Sequence, residues 1–521
     1  MNEKYEYWLK NIDDKEIVKK LTALNKDKIE QNFSSSLSFG TAGIRGVMEL
    51  GTNTINLLTV GKLAYALGQY ARNKRIVICF DTRNNSKDFS RLFAKILSDF
   101  QVEVLLFKNY APTPTLVFAS TYLKCDYAVN ITASHNRKEY NGIKIYGNDG
   151  IQIDEEEQKK ITSLFDATNE VEVFNKYQKM RLKKVKFVGK KILDAYINGT
   201  YEKQKRSIKI TCTALNGTGF KPLKKLFAYN GFKVSAVQTK KDPNFTTCPY
   251  PNPEFEEAFA VAKKKALKNG SDIIIATDPD ADRLGVMVKS GNTFKKLSGN
   301  EVGYIFADAL LSEKQGNIVV TSVVTSPLID KICKKYNAKL YKTLTGFLSM
   351  GKKAKELAKT YGRESIALIY EESCGYVVNN AYDKDGIFAG LKMAQIAEKL
   401  KKNGKTLLEH LAQIYEKYGN LTALEDSLPT KNSQMFIEKI RKNRLKTLKI
   451  DIKEIIDYQN DNTGLPKQNF LEFKLEDGSF ILRPSGTEPK LKIYLFHQDP
   501  NFAHTLLENL KNYILKSAKF L

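Results

Sequence analysis

Ser134 and His135 stand side by side just past an apolar run, Tyr127–Ile131, and Lys144 lies in a second β-type run beyond them. A hydroxyl with an imidazole and an ammonium in reach is the equipment of a nucleophile or phosphoryl carrier, whose proton the nitrogen groups manage. The stretch reads ITASHNRKEYNGIKIY over residues 131–146. No Gly-x-Ser-x-Gly elbow surrounds the serine, which argues against acyl transfer through that architecture. The Asn141 and Gly142 pair is a turn signal expected to lead into the strand that carries Lys144.

A second cluster, DPDADR at residues 278–283, follows the apolar stretch 273–276 and puts Asp278, Asp280 and Asp282 on alternate positions. Carboxylates this close repel one another, and a bound cation is the natural way to stabilise them. Hard oxygen ligands beside a phosphate point to Mg2+ over zinc. An EF-hand opens in the same way but needs Gly at its sixth position and Glu at its twelfth, where this chain has Arg283 and Lys289. A haloacid-dehalogenase type aspartyl nucleophile wants Thr or Val where Ala281 and Asp282 follow, so that reading fits poorly.

Two more stretches carry recognition chemistry. In YEESCGY, residues 370–376, Glu371 and Ser373 offer an acceptor and a donor to neighbouring sugar hydroxyls. In LRPSGTEP, residues 482–489, Arg483, Ser485, Gly486 and Thr487 make a cradle of guanidinium, hydroxyls and backbone amides suited to a phosphate ester. No Walker lysine accompanies it, so a nucleotide site is not indicated. The glycine-rich FGTAGIRG, residues 39–46, adds Arg45, and LTGFLSMG, residues 344–351, forms a loop entering a helix.

The elements that must position these groups follow from periodicity. The polar stretch 1–37 reads as helical, anchored by Trp8. Strand and helix patterns then alternate from 59 to 131, restart at 208, and restart again at 301. Such βαβ rhythm predicts α/β domains with mixed, mainly parallel sheets. Residues 405–457 read as helical, and the strands clustered at 469–496 before a final helix predict a C-terminal α+β domain. The expected division is 1–200 (domain I, Ser134 loop), 201–310 (domain II, Asp cluster), 311–425 (domain III, Glu371 loop) and 426–521 (domain IV, Arg483 loop).

Composition narrows the class. Six scattered cysteines (79, 125, 212, 248, 333 and 374) with no Cys-x-x-Cys pair argue against zinc or a disulfide framework and for a reducing, cytoplasmic setting. No apolar run reaches the ~18–20 residues of a membrane span, and no signal peptide opens the chain, so no membrane partner is expected. The net charge of +25 is spread in single lysines and short runs, without the basic block of a nucleic-acid footprint. A small anionic substrate remains a natural partner.

The four clusters in this order resemble the α-D-phosphohexomutase family, which includes phosphoglucomutase and phosphomannomutase. The resemblance runs from Gly40 to Tyr494 through TASHN, DPDADR, EES-x-G and R-x-SGTEP. It is nearest the branch of phosphoglucomutases and phosphopentomutases, through GTAGIR at 40–45, Thr345, Gly346 and Phe347, and YDKDG at 382–386. The resemblance implies four domains around a central cleft. Ser134 would carry the phosphoryl group and, with Asp278, Asp280 and Asp282, hold Mg2+. Arg283, Arg45, His135 and Lys144 would stabilise charge and move protons. Glu371 and Ser373 would read the sugar, with Thr345, Gly346 and Phe347 arbitrating its identity. Arg483, Ser485, Gly486 and Thr487 would clamp the phosphate not being transferred.

The implied activity interconverts glucose 1-phosphate and glucose 6-phosphate, with a sugar 1,6-bisphosphate as intermediate and activator, in a monomer or small homo-oligomer. Phosphomannomutase or phosphopentomutase activity is the alternative within the mechanism. A Mg2+-dependent phosphatase and a non-catalytic basic binding protein are the alternatives from other classes. Two departures stand out: Arg137 follows TASHN where proline is common, and Asn216 stands where many relatives have histidine.

Overall fold

The strand Arg75–Phe80 shows how the first sheet is built. Its side chains alternate faces: Ile76, Ile78 and Phe80 join one buried cluster, and Val77 and Cys79 join another. A strand buried on both faces reads as a continuous apolar run, and helices must cover both sides. In this computed structural model they do. The helices Leu57–Tyr70 and Ser86–Asp99 feed Val60, Leu63, Phe89 and Phe93 into the first cluster, while Thr113–Tyr122 feeds Leu116 and Val117 into the second. The structure describes residues 2–40, 43–182, 184–198, 204, 206–430, 432–443, 445, 450–485 and 490–518.

Among the described residues there are four sheets. In the first, Gly43–Val47, Tyr140–Gly147, Tyr127–Ile131, Arg75–Phe80, Glu103–Phe107 and Val185–Val188 lie in that order, the first two pairings antiparallel and the rest parallel. The second runs Thr293–Lys296, Leu284–Ser290, Ile273–Thr277, Ile210–Thr213, Val234–Val237, again antiparallel at one end and parallel at the other. In the third, Ile318–Ser322 is flanked in parallel by Lys339–Thr343 and Ile366–Glu371. The fourth is antiparallel throughout: Thr422–Pro429, Lys490–His497, Gly478–Pro484, Leu471–Lys474, Glu454–Asp457. Three α/β domains and an α+β domain are the architecture expected.

The chain divides into two compact units, residues 1–298 with 373–406 and residues 299–372 with 407–521. In the first, Glu398 on the helix Gly386–Lys402 accepts hydrogen bonds from the backbone N–H groups of Ser207 and Ile208 at 3.0 and 2.8 Å. The helix Gly386–Lys402 therefore packs with the second sheet. In the second unit, the expected boundary at 425 falls inside Thr422–Pro429, a strand fully paired with Lys490–His497. The helical reading of 405–457 missed the strands Thr422–Pro429 and Glu454–Asp457.

Two local expectations also change. Asn141 and Gly142 are no turn: they sit inside Tyr140–Gly147, opposite Gly46 and Arg45. Glycine is needed there because a Cβ would come within 2.5 Å of the Ile44 carbonyl oxygen. The glycine-rich stretch likewise contributes a strand, Gly43–Val47, while Thr41 and Ala42 lie outside the described residues. The N-terminal stretch forms three helices, Glu3–Asn11, Lys15–Thr22 and Lys26–Phe33. Trp8 anchors them, fully buried, with its indole N–H on Glu170 at 3.0 Å.

Candidate active site

Ser134 follows the central strand Tyr127–Ile131 and has φ +51°, a left-handed conformation that costs a residue with a Cβ free energy. Ser134 is 3% exposed. Its Oγ donates to Asp278 Oδ2 at 2.8 Å and lies 3.3 Å from His135 Nδ1. The first unit thus brings together two clusters 144 residues apart in sequence.

The aspartate loop leaves the strand Ile273–Thr277 with Ala281 also left-handed, at φ +59°. Asp278, Asp280 and Asp282 are buried, with one potential ligand atom from each lying within 4.8 Å of the others. Lys144 Nζ donates to Asp280 Oδ2 at 2.9 Å and to Asp282 Oδ2 at 3.1 Å, and Lys384 Nζ lies 3.4 Å from Asp282 Oδ2. Asp280 Oδ1 and Asp282 Oδ1 are buried with no hydrogen-bond partner. Oxygens of this kind are costly to bury unless something binds them, and a hard divalent cation meets that need. The residues present fit a metal ion.

Electrostatics sort the groups. Burial, together with Asp280 and Asp282, pushes the Asp278 carboxyl well above the usual range. Burial would also raise Asp282, but Lys144, Lys384 and Arg283 outweigh it and hold it low. Burial alone would lower the Lys144 ammonium; Asp280 and Asp282 hold it above its ordinary value. Lys144 is therefore a standing positive charge here. The imidazole of His135 is pushed well down by burial and by Arg283 and Arg45, so it is neutral near pH 7. Arg45 reaches across from Gly43–Val47 to the Asn136 side chain at 3.0 Å.

Arg283 donates its backbone N–H to Asp278 Oδ1 at 3.1 Å, and its guanidinium pairs with Glu254. Its Nε is buried without a partner. The chain's two departures are both held firmly. Arg137 stacks over the Tyr250 ring at 4.2 Å. Asn216 accepts from Thr247 Oγ1 at 2.9 Å and donates to the Lys240 carbonyl at 3.1 Å.

The second unit holds Thr345, Gly346, Phe347, Glu371 and Arg483, which the sequence marks as candidates for recognition. Glu371 accepts the Gly346 backbone N–H at 2.8 Å, and Gly346 has φ +98°, which suits glycine. Phe347 begins the helix Phe347–Tyr361 and is buried. Arg483 donates to the Tyr494 hydroxyl at 3.3 Å and has a buried Nε with no partner. Burial would lower its guanidinium, but Tyr494, Glu372 and Glu371 raise it. Ser485 donates its backbone N–H to the Lys490 carbonyl at 2.9 Å, while Gly486 and Thr487 lie outside the described residues. Ser373 belongs to the first unit, so the expected Glu371–Ser373 pair straddles the division between the two.

Several participants escaped the sequence reading. Lys384 lies in the YDKDG stretch, which carried only a resemblance. Arg83 and Asp81 form a buried pair beneath the Ser134 loop, and Thr113 bonds Asp280. Glu372, whose carboxyl burial and Glu371 push well up, and Lys492, whose ammonium Tyr494 and Glu425 hold high against burial, flank Arg483. Charged residues directly after apolar strands were the available signal for Asp81, Arg83 and Glu372.

Comparison with known proteins bears on the fold and the family. Models of phosphoglucomutase/phosphomannomutase α/β/α domains I, II and III and of the C-terminal domain match residues 36–172, 191–291, 298–418 and 437–506. The phosphoglucomutase of Staphylococcus haemolyticus (strain JCSC1435) is 32% identical over 544 residues, covering 97% of this chain and 98% of that one. A phosphoglucomutase/phosphomannomutase family protein from Burkholderia thailandensis superposes with a TM-score of 0.71 at 19% identity, over 92% and 97% of the two chains. The open form of parafusin, a phosphoglucomutase from Paramecium, gives 0.68 at 20% identity over 93% and 96%. At those identities the two structures speak for the fold.

Proposed function

The chain belongs to the phosphoglucomutase/phosphomannomutase family and is a phosphohexomutase, and from that premise we propose that it interconverts glucose 1-phosphate and glucose 6-phosphate through a phosphoserine at Ser134. The observation that carries this reading is the Ser134 Oγ, 2.8 Å from a buried aspartate triad with two unpartnered carboxylate oxygens. Asp278, Asp280 and Asp282, with Ser134, would hold Mg2+, the hard ion that suits an all-oxygen set. The ion, when bound, supplies positive charge to the oxygens of a transferring phosphoryl group.

The chain's own residues do the rest. Lys144 and Arg283 present fixed positive charge where charge spreads during transfer, the largest single contribution in such chemistry. His135, 3.3 Å from Oγ, is assigned to the proton exchange: the attacking sugar hydroxyl gives up its proton as the departing Ser134 Oγ takes one up, and the exchange reverses when the bisphosphate gives its other phosphate back to Ser134. Arg483, Ser485, Gly486 and Thr487 are assigned to the phosphate not being transferred, and Glu371 and Ser373 to sugar hydroxyls. A sugar 1,6-bisphosphate is both intermediate and activator. Glucose is favoured because the Staphylococcus haemolyticus relative, matched over nearly its whole length, is a phosphoglucomutase.

The test pairs turnover with mass. Ser134→Ala should lose at least about 1000-fold in kcat, as removal of a covalent nucleophile does. It should also lose the one-phosphoryl mass increment that the bisphosphate adds to the wild type. Near-normal turnover in this variant would end the phosphoserine reading. If mannose or ribose 1-phosphate gives a higher kcat/KM than glucose 1-phosphate, the sugar assignment fails while the mutase stands.

A further inference from the structure

Beneath the Ser134 loop lies a guanidinium with no exposure to solvent. Arg83, just past the strand Arg75–Phe80, spends all five of its N–H donors there. Its Nε donates to Asp81 Oδ2 at 3.0 Å. Nη1 donates to the carbonyls of Arg137 and Tyr140 at 2.7 and 3.2 Å. Nη2 donates to the carbonyls of Ser134 and Asn136. The ring of Phe245, itself fully buried, covers the guanidinium at 5.0 Å. Asp81 completes the anchor: its Oδ2 accepts from Thr132 Oγ1 at 2.7 Å, and that same oxygen of Thr132 accepts the Ser134 backbone N–H at 2.9 Å.

We propose that Arg83 is the positioning residue of the phosphoryl-carrying loop, fixing the left-handed Ser134 backbone that aims Oγ at the aspartate triad. The proposal rests on the reading of Ser134 as the phosphoryl carrier. A lone serine at φ +51° relaxes unless its surroundings over-determine it. Here both sides of the residue are tied: its carbonyl to Arg83 and its N–H, through Thr132, to Asp81. A trans peptide sets each N–H opposite the preceding carbonyl. Drawing the carbonyls of 134, 136 and 137 onto one cation therefore turns the N–H groups of His135, Arg137 and Lys138 away from it. None of the three has an acceptor among the described residues. They are left as oriented donors on the loop's other side, an arrangement that suits an anion.

Lysine cannot replace this group, having three donors at a point instead of five in a plane. In the full-length protein, Arg83→Lys should lower kcat about 100-fold with KM for glucose 1-phosphate within about threefold, because misplacing a reacting atom by an ångström costs on that order. The rate at which glucose 1,6-bisphosphate loads Ser134, read by intact mass, should fall in parallel. Thr132→Val, which keeps shape and loses only the hydroxyl, should show the same split at about a tenfold loss. It decides the matter if Arg83→Lys does not fold. A folded Arg83→Lys with kcat and loading rate within twofold of wild type overturns the proposal, as does an unchanged Thr132→Val. Ser134→Ala run beside them separates the cases: if it stays active, the phosphoserine reading has failed, and if it is dead while the others are normal, only the role of Arg83 has.

Discussion

Thr113 shows how much of a candidate metal site is decided by a residue outside the aspartate triad. Its backbone N–H donates to the Asp280 carbonyl at 2.8 Å and its hydroxyl to Asp280 Oδ2 at 2.7 Å. The Asn130 side chain in turn donates to that hydroxyl at 2.7 Å. With Lys144 on the same oxygen, Asp280 Oδ2 is fully engaged and Oδ1 is turned out unpartnered. The arrangement fixes which carboxylate oxygen is offered to a cation. Outer partners of this kind typically change metal affinity about 10- to 100-fold when removed. Thr113→Val should therefore bind Mg2+ about tenfold more weakly in chelator competition, with wild-type activity recovered at saturating metal. An unchanged Mg2+ affinity would show that Lys144 alone orients Asp280.

At the scale of elements, the helix Gly386–Lys402 carries its titration at its first turn. Asp385 caps it, accepting from the N–H groups of Ile387 and Phe388 at 3.1 and 2.9 Å and from the Tyr196 hydroxyl and Asn379 amide at 2.8 and 2.7 Å. Burial still dominates those bonds and pushes its carboxyl from 3.8 up to about 6. Between those values the folded chain keeps a proton that the unfolded chain has released, so this group's contribution to stability falls as pH rises through the window and is flat above it. Asp385→Asn should flatten that part of the curve of urea midpoint against pH; parallel curves for the two proteins would refute the assignment. Apolar runs such as Arg75–Phe80, Tyr127–Ile131 and Ile366–Glu371 announced the core strands, because burial on both faces leaves no other composition. The four loops that follow such strands were legible for the same reason. Thr422–Pro429 was not: as an edge strand it reads TALEDSLP, too polar to stand out. Nor was the Asn141–Gly142 error avoidable from composition, since only the closeness of Ile44 explains that glycine. Arg83 and Thr113 were hidden because their meaning lies in contacts 51 and 167 residues away.

For the whole molecule, the unusual quantity is a net charge of +25, from 83 basic and 58 acidic residues. Part of it has a local use: Lys144, Lys384 and Arg283 face three buried carboxylates, and Arg45 lies beside the same loop. The rest is spread over a surface that carries no apolar helix long enough to cross a membrane among the described residues. A dianionic sugar phosphate approaching such a chain feels a net attraction that ordinary salt shortens, since the screening length falls from ~30 Å at 0.01 M to about 10 Å at 0.1 M. The buried ion pairs that build the site are screened far less. The two effects separate in steady-state kinetics. Raising KCl from about 0.02 to 0.3 M should lower kcat/KM for glucose 1-phosphate about three- to tenfold and leave kcat within about twofold, because only the encounter is screened. A flat kcat/KM would mean that the surface charge does not serve the substrate. A fall in kcat of the same size would mean instead that salt reaches the carboxylate cluster itself.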